Sequence, residues 1–280
     1  MRFRLPASAV RLLSASAALA CVAGGPAFAS PPATRIVSLM PSLTEDLFAL
    51  GAGPNVVAVS DYTDYPARAA ALPRVASFAS LDAERIVRLH PDLVVGIPAQ
   101  RRLLADVARA GVRIELIGDD GYGDIFTSLE RLGALTGRER AASALVRRLR
   151  ARTAALVRDL PPGRPSAFVV LQASPIVTVG AGSYIAHLIA LAGGVNAASD
   201  ARDAYTRYSA EALLAHQPDA IVADRTSGLA GVLHTPPWNA LRAVRAGRVY
   251  LLDDADILER PGPRYNDGLA WLIARLHAHG

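Results

Sequence analysis

The stretch Leu81-Asp82-Ala83-Glu84-Arg85-Ile86-Val87-Arg88-Leu89-His90-Pro91-Asp92-Leu93-Val94-Val95 decides how this chain is read. It returns as Ser209-Ala210-Glu211-Ala212-Leu213-Leu214-Ala215-His216-Gln217-Pro218-Asp219-Ala220-Ile221-Val222. In both copies a Glu stands seven residues before a Pro-Asp pair, and the pair opens an apolar run. In the first copy Asp82 is suited to cap a helix over 82–89, and Pro91 ends it. The run over 93–96 is apolar throughout, as expected of a strand covered on both faces. A helix–turn–strand unit that occurs twice, 127 positions apart, implies two similar lobes and two equivalent surface glutamates, Glu84 and Glu211.

Working outward, strands and helices alternate. Strands are expected over 35–39, 56–60, 93–96 and 112–117, with helices over 44–50, 82–89, 101–110 and 124–136. Residues 138–160 contain no Gly or Pro. There Ala142, Leu145, Leu149 and Leu156 form an apolar stripe near helical spacing, so one helix of about six turns is expected. Pro161-Pro162-Gly163-Arg164-Pro165 stops it. The alternation then restarts, with strands over 167–171, 178–180, 220–223 and 249–252 and helices over 184–191, 210–215, 238–244 and 268–277. Leu47-Phe48-Ala49-Leu50-Gly51-Ala52-Gly53 is echoed by Leu188-Ile189-Ala190-Leu191-Ala192-Gly193-Gly194. The fold class is therefore α/β: two Rossmann-like lobes of parallel strands flanked by helices, joined by one long helix, with a ligand cleft between them. The expected boundaries are 1–29 for a signal peptide, 30–137 for the N-terminal lobe, 138–160 for the connecting helix and 161–280 for the C-terminal lobe.

The chain has 280 residues, half of them hydrophobic and a fifth charged, which suits a packed globular protein. Its first 29 residues read as an export signal. Arg2, Arg4 and Arg11 precede an uncharged apolar stretch over 12–23, and Ala27-Phe28-Ala29 is a small-residue cleavage motif. Cleavage after Ala29 would remove the single cysteine, Cys21, and with it any thiol chemistry. The alternative is a lipoprotein acylated at Cys21. No other stretch is long and apolar enough to span a bilayer. Removal of the three signal arginines leaves 27 basic against 25 acidic residues, a near balance that argues against nucleic acid as partner. The basic cluster over 147–152 reads as a solvated helix face.

Catalytic motifs are missing. There is no G-x-S-x-G elbow and no phosphate loop with Gly-Lys-Ser/Thr. Gly51-Ala52-Gly53 follows a helix rather than a strand, so it lacks the dinucleotide context. Asp119-Asp120 and Asp253-Asp254 fit strand-end loops as well as acid pairs. Of the histidines His90, His187, His216, His234, His277 and His279, only His277 and His279 have metal-site spacing, and they lie at the carboxyl end. His90 and His216 occupy matching spots before the two Pro-Asp pairs, which suggests a structural role at a helix end. No catalytic residue, no metal site and no cofactor are assigned.

Arg35-Ile36-Val37-Ser38-Leu39-Met40-Pro41-Ser42-Leu43-Thr44-Glu45, Val59-Ser60-Asp61-Tyr62-Thr63-Asp64-Tyr65-Pro66 and the 81–92 segment together resemble the periplasmic cobalamin-binding proteins of ATP-driven importers. The wider family also binds ferric siderophores and haem. Tyr208-Ser209-Ala210-Glu211, Gln217-Pro218-Asp219 and Arg260-Pro261-Gly262-Pro263-Arg264 extend the resemblance through the second lobe. It implies a monomeric substrate-binding protein without catalysis, one metal chelate held between the lobes, and a periplasmic location. It also implies that Glu84 and Glu211 pair with arginines of the membrane permease. Ligand contacts are placed near Tyr62, Phe78, Ile97, Tyr205 and Ile257, and Tyr205, Arg207 and Arg225 are suited to anionic groups. Phe78 stands where that family carries Trp, and Ile97 and Ile257 are aliphatic where aromatics are expected. Corrinoid, siderophore and haem therefore stay open as ligand, with haem ligation by Tyr62 or Tyr205 and a free metal ion as alternatives.

Overall fold

The computed structural model describes residues 31–77, 79–118 and 121–278. The signal segment with Cys21, Phe78, Asp119-Asp120 and His279 lie outside the described residues. In chain order the helices are α1 (Pro41–Ala49), α2 (Ala67–Ala70), α3 (Ala83–Arg88), α4 (Ala105–Arg109), α5 (Asp124–Thr136), α6 (Glu139–Leu156), α7 (Tyr184–Leu191), α8 (Ala210–His216), α9 (Leu229–Val232), α10 (Arg242–Arg245), α11 (Asp256–Glu259) and α12 (Tyr265–Leu276).

The first sheet holds β1 (Ile36–Ser38), β2 (Val56–Ser60), β3 (Arg74–Ala76), β4 (Leu93–Gly96) and β5 (Ile114–Leu116). All are parallel, in the order β3-β2-β1-β4-β5. The second parallel sheet runs β12 (Val249–Leu252), β11 (Ala220–Asp224), β6 (Ser166–Val170), β9 (Val195–Asn196). A small antiparallel sheet joins β7 (Gln172–Ala173), β8 (Ile176–Val179) and β10 (Tyr205–Arg207).

Strand alternation divides the apolar residues between layers. In the first sheet Ile36, Leu93 and Val95 face one core, and Val37 and Val94 face another with Ile86 and Val107. In the second sheet Phe168, Val170, Ile221 and Ala223 pack on Leu213 and Trp238. The opposite side chains, Ala167, Val169, Ala220 and Val222, belong to the same core as Ile36, Leu93 and Val95. Each sheet thus has a private layer, and both share a central core built from α1, α5, α6, α7 and α12. Residues Pro32–Gly280 form one compact unit.

The joining helix is shorter than the sequence suggests. It spans 18 residues and ends at Leu156, followed by turns before the prolines. Its apolar stripe packs as expected through Ala142, Leu145 and Leu149. Burial of each such leucine contributes about 1.5–3 kcal/mol. Thr153, on the buried face, turns its hydroxyl to the Leu149 carbonyl at 3.1 Å and to Asn266 Oδ1 at 3.0 Å, fastening α6 to α12.

The repeated unit is a repeated set of bonds. Asp92 accepts from the Thr34 N–H and hydroxyl, both at 2.8 Å, and from the Arg35 N–H at 3.0 Å. Asp219 accepts from the Ser166 N–H at 2.9 Å and hydroxyl at 2.8 Å. Each Pro-Asp carboxylate therefore pins the start of its lobe's first strand. Burial works to raise both acids, but these donors outweigh it and hold them below the ordinary aspartate value. The two glycine stops also match: Gly51 and Gly193 adopt φ of 77° and 78°.

One pairing of the sequence reading is corrected. The equivalent helix-end residues are His90 and Gln217, both left-handed with φ of 47° and 44°. His216 lies one position earlier and meets the Tyr208 hydroxyl through Nδ1 at 2.8 Å. Counting from Pro91 and Pro218, rather than matching residue types, gives this alignment. The expected helix over 238–244 is divided into a 3-10 turn, Trp238–Ala240, and α10.

Candidate functional site

The loops after β1, β2 and β4 of the first sheet meet the segment after β12 of the second. Both sets leave the carboxyl ends of parallel strands, where open α/β sheets bind ligands. Between them lies a cavity of about 400 Å³ lined by Met40, Pro41, Ser42, Ile97, Ala99, Tyr205, Asp256, Glu259, Arg260 and Pro261. Its walls come from both lobes.

The sequence-derived contacts are only partly gathered there. Ile97 forms part of one wall and is 5% exposed. Tyr205, 50% exposed on β10, forms part of the other. Tyr62 is 81% exposed after β2 and is not in the lining, although its carbonyl accepts from Arg260 Nη2 at 2.9 Å. Ile257 packs half-buried against the shared core. Arg225 is turned to Asp253, with Nε at 2.7 Å and Nη2 at 2.6 Å, away from the lining. Arg207 is exposed at the end of β10.

An ion-pair strap beside the cavity was missed. Glu45 on α1 is 2% exposed and faces two guanidinium groups from the other lobe. Arg264 grips it with Nε to Oε2 at 2.8 Å and Nη2 to Oε1 at 2.9 Å. Arg260 Nη1 reaches Glu45 Oε1 at 3.1 Å and Asp64 Oδ1 at 2.8 Å. Arg260 Nη2 also meets Asp256 Oδ2 at 2.8 Å, and Arg264 Nη1 meets Asp254 Oδ2 at 2.7 Å. The Arg264 guanidinium lies 4.1 Å from the Tyr65 ring centre, a cation–π contact. The sequence offered only the four-residue spacing of Arg260 and Arg264, while the burial of Glu45 beside Leu43, Thr44, Asp46 and Leu47 is visible only in the fold.

Burial raises three of the four acids described here. It pushes Glu259 up to about 7, with Asp224 and Asp256 adding to the rise and Arg260 opposing it. It pushes Asp256 up to about 6, opposed by Arg260 and aided by Asp64 and Asp254. Asp46 is fully buried and held well above the ordinary aspartate value by desolvation, against the hydrogen bond that Ser128 donates to Oδ2 at 2.7 Å. For Asp64 burial acts upward, but the Arg260 hydrogen bond and charge win and lower it.

The two repeated glutamates occupy the same helical position. Glu84 and Glu211 are each the second residue of a short helix, α3 and α8. Asp82 caps the first by accepting from the Arg85 N–H at 2.9 Å, and Ser209 caps the second by accepting from the Ala212 N–H at 3.0 Å. Both glutamates are exposed; Glu84 touches Arg88 at 3.4 Å. A shallow, mainly apolar pocket of about 380 Å³ lies beside Glu84, lined also by Ala83, Val87, Arg88 and Asp106. Among the described residues no group of three or more His, Cys, Asp or Glu is placed to hold a metal ion.

Known proteins share this architecture. The vitamin B12-binding protein of Vibrio cholerae is 33% identical over 242 residues, covering 85% of this chain and 87% of the relative. The crystal structure of the Vibrio cholerae periplasmic vitamin B12 binding protein BtuF superposes with a TM-score of 0.76 at 32% identity, over 88% of this chain and 98% of that one. The apo periplasmic heme-binding protein RhuT from Roseiflexus sp. RS-1 superposes with a TM-score of 0.78 at 30% identity, over 87% and 98%. An uncharacterized ABC transporter substrate-binding lipoprotein, YvrC of Bacillus subtilis, is 28% identical over 256 residues, 87% of this chain and 80% of the relative. The family profile described as "Periplasmic binding protein" matches residues 36–255, so this chain belongs to the periplasmic binding protein family.

Proposed function

We propose that this protein is the periplasmic substrate-binding protein of an ATP-driven importer, capturing a corrinoid or an iron chelate and handing it to the membrane permease. The observation that carries the reading is the cavity walled by Met40, Pro41, Ser42 and Ile97 from one lobe and by Tyr205 and Asp256–Arg260 from the other. A cleft between two packed sheets can hold one ligand per chain. The relatives named for vitamin B12 and haem support the chelate class. The protein binds without turnover and acts as a monomer. Tyr62, Phe78, Ile97, Tyr205, Arg225 and Ile257 remain the proposed ligand-side residues, with Tyr62 and Arg225 reaching cargo that extends past the cavity.

Glu84 and Glu211 are proposed to dock on permease arginines. Their support is the matched second-residue position on two capped helices, which leaves each carboxylate exposed and open to an arginine fork. The export signal is removed after Ala29, with acylation at Cys21 as the alternative. The lobes extend over 30–137 and 161–280 around the connecting segment 138–160.

A thermal-shift and calorimetric screen of cobalamin, cobinamide, haem and ferric siderophores tests the reading. A ligand that binds only the folded state raises the melting temperature with its affinity. Saturable binding at one site per chain is expected, and turnover of a substrate without such binding would overturn it.

A further inference from the structure

The first turn of α1 lines the cavity through Pro41 and Ser42, and among the described residues the Ser42 N–H meets no acceptor. Its cap residue, Met40, contributes no side-chain hydrogen bond, and Pro41 has no N–H to give. The N–H groups of Ser42 and Leu43, in the first turn, have no acceptor within the helix. Ser42 lines the cavity and is 3% exposed, and its Oγ has no hydrogen-bond partner. An unpartnered buried hydroxyl costs about 1–3 kcal/mol, so a buried donor set left open on a cavity wall is suited to an incoming oxygen.

The facing wall has the opposite chemistry. Glu259 lines the same cavity and forms none of the ion pairs of the neighbouring cluster. Asp256 stands one helical turn away on α11. Among the described lining residues Arg260 is the single cation, and its terminal nitrogens are already engaged by Glu45, Asp64, the Tyr62 carbonyl and Asp256. Arg264 is likewise occupied by Glu45 and Asp254. The two guanidinium groups are thus shared among Glu45, Asp64, Asp254 and Asp256, and Glu259 adds a further acid to the lining. A carboxylate entering here would meet acids and no free cation.

We propose that α1's first turn and Glu259 form a subsite that reads uncharged carboxamides: the Ser42 Oγ and N–H take amide carbonyl oxygens, while Glu259 takes amide N–H groups from the other lobe's wall. The cleft then selects a chelate rimmed with amides over one rimmed with carboxylates. This rests on the carrier reading and narrows its cargo. Burial, with Asp224 and Asp256 nearby, raises Glu259 to about 7 against the pull of Arg260. At pH 8 it is mostly charged, and its preference for donors is then strongest.

The test uses two matched pairs at pH 8, each differing in rim charge. One is cyanocobinamide against its partly hydrolysed carboxylate form. The other is iron(III) protoporphyrin IX bis-amide against the parent dicarboxylate. Calorimetry or fluorescence quenching should show the amide member of a bound pair held at least about tenfold more tightly. Ser42→Ala should weaken that member by about tenfold without lowering the melting temperature, since the hydroxyl has no partner in the free protein. Glu259→Gln should shrink the preference, mainly by improving the carboxylate member. Equal or tighter binding of the carboxylate members would overturn the proposal, as would an unchanged Ser42→Ala affinity. Binding of neither pair but of a siderophore would overturn it and leave the carrier reading standing. No binding of any chelate would overturn both.

Discussion

Glu45 and Arg264 form a two-pronged ion pair across the lobes, 219 residues apart in sequence and at 2.8 and 2.9 Å in space. The carboxylate is almost fully buried and Arg264 is 14% exposed at its side chain.

Removing Glu45 takes away the buried partner and leaves the two guanidinium groups only their outer carboxylates, Asp64, Asp256 and Asp254. Glu45→Ala should destabilise the protein by roughly 2–4 kcal/mol, somewhat below the cost of a charge left wholly unpaired. For a chain of this size that lowers the melting temperature by about 4–16 °C. Calorimetric or circular-dichroism melts check this. A loss under 1 kcal/mol would mean the strap is screened by water.

Glu259 makes stability depend on pH. Its folded value is about 7, above the ordinary glutamate value, with burial the main cause. Between those two values the folded protein holds a proton that the unfolded chain has released. Stability therefore falls as pH rises through this window, and the loss is complete above about 7. Glu259→Gln removes that loss. It should melt close to wild type near pH 4.5 and above it at pH 8, by roughly 1–3 kcal/mol. Melts at the two pH values that differ equally would contradict the assignment.

Docking and capture should separate. The double substitution Glu84→Ala, Glu211→Ala should leave ligand affinity within about twofold of wild type, because both side chains are exposed and outside the cavity. Uptake by cells carrying it as the sole binding protein should be abolished. Normal uptake would refute the docking role.

Ligand should move the lobes little. The two sheets share a central core through α1, α5, α6, α7 and α12. Tyr265 and Asn266 fasten α12 to Thr153 and the Leu149 carbonyl of α6. Small-angle scattering should give a radius of gyration that changes by less than about 1 Å on loading, as expected where interface backbones move little. A large compaction would sink this expectation.

What the sequence revealed was local. The Asp82 cap, the Pro-Asp strand starts and the glycine stops are each written within a few residues, and they placed most parallel strands and helices. Short strands were harder: Gln172-Ala173 and Val195-Asn196 owe their pairing to neighbours rather than to any run of their own. The helix after Gly137 ends four residues earlier than its sequence suggests: Val157 still packs against the core, but the chain turns over 157–159 before the prolines. At the cleft, Ile97 and Tyr205 could be placed through the resemblance. Glu45, Arg260 and Arg264 could not be paired, since their partners are about 200 residues away and meet only when both lobes are built. Arg225 looked free in sequence and is engaged by Asp253, itself 28 residues distant.

The hold of Arg260 on Tyr62 and Asp64 has a kinetic meaning. It fixes the mouth of the cleft before cargo arrives, so capture does not wait for a slow opening. The observed association rate should then climb in proportion to ligand concentration, with no plateau. Residence time would then be governed by the grip inside the cleft alone, since cargo leaves by the same fixed mouth.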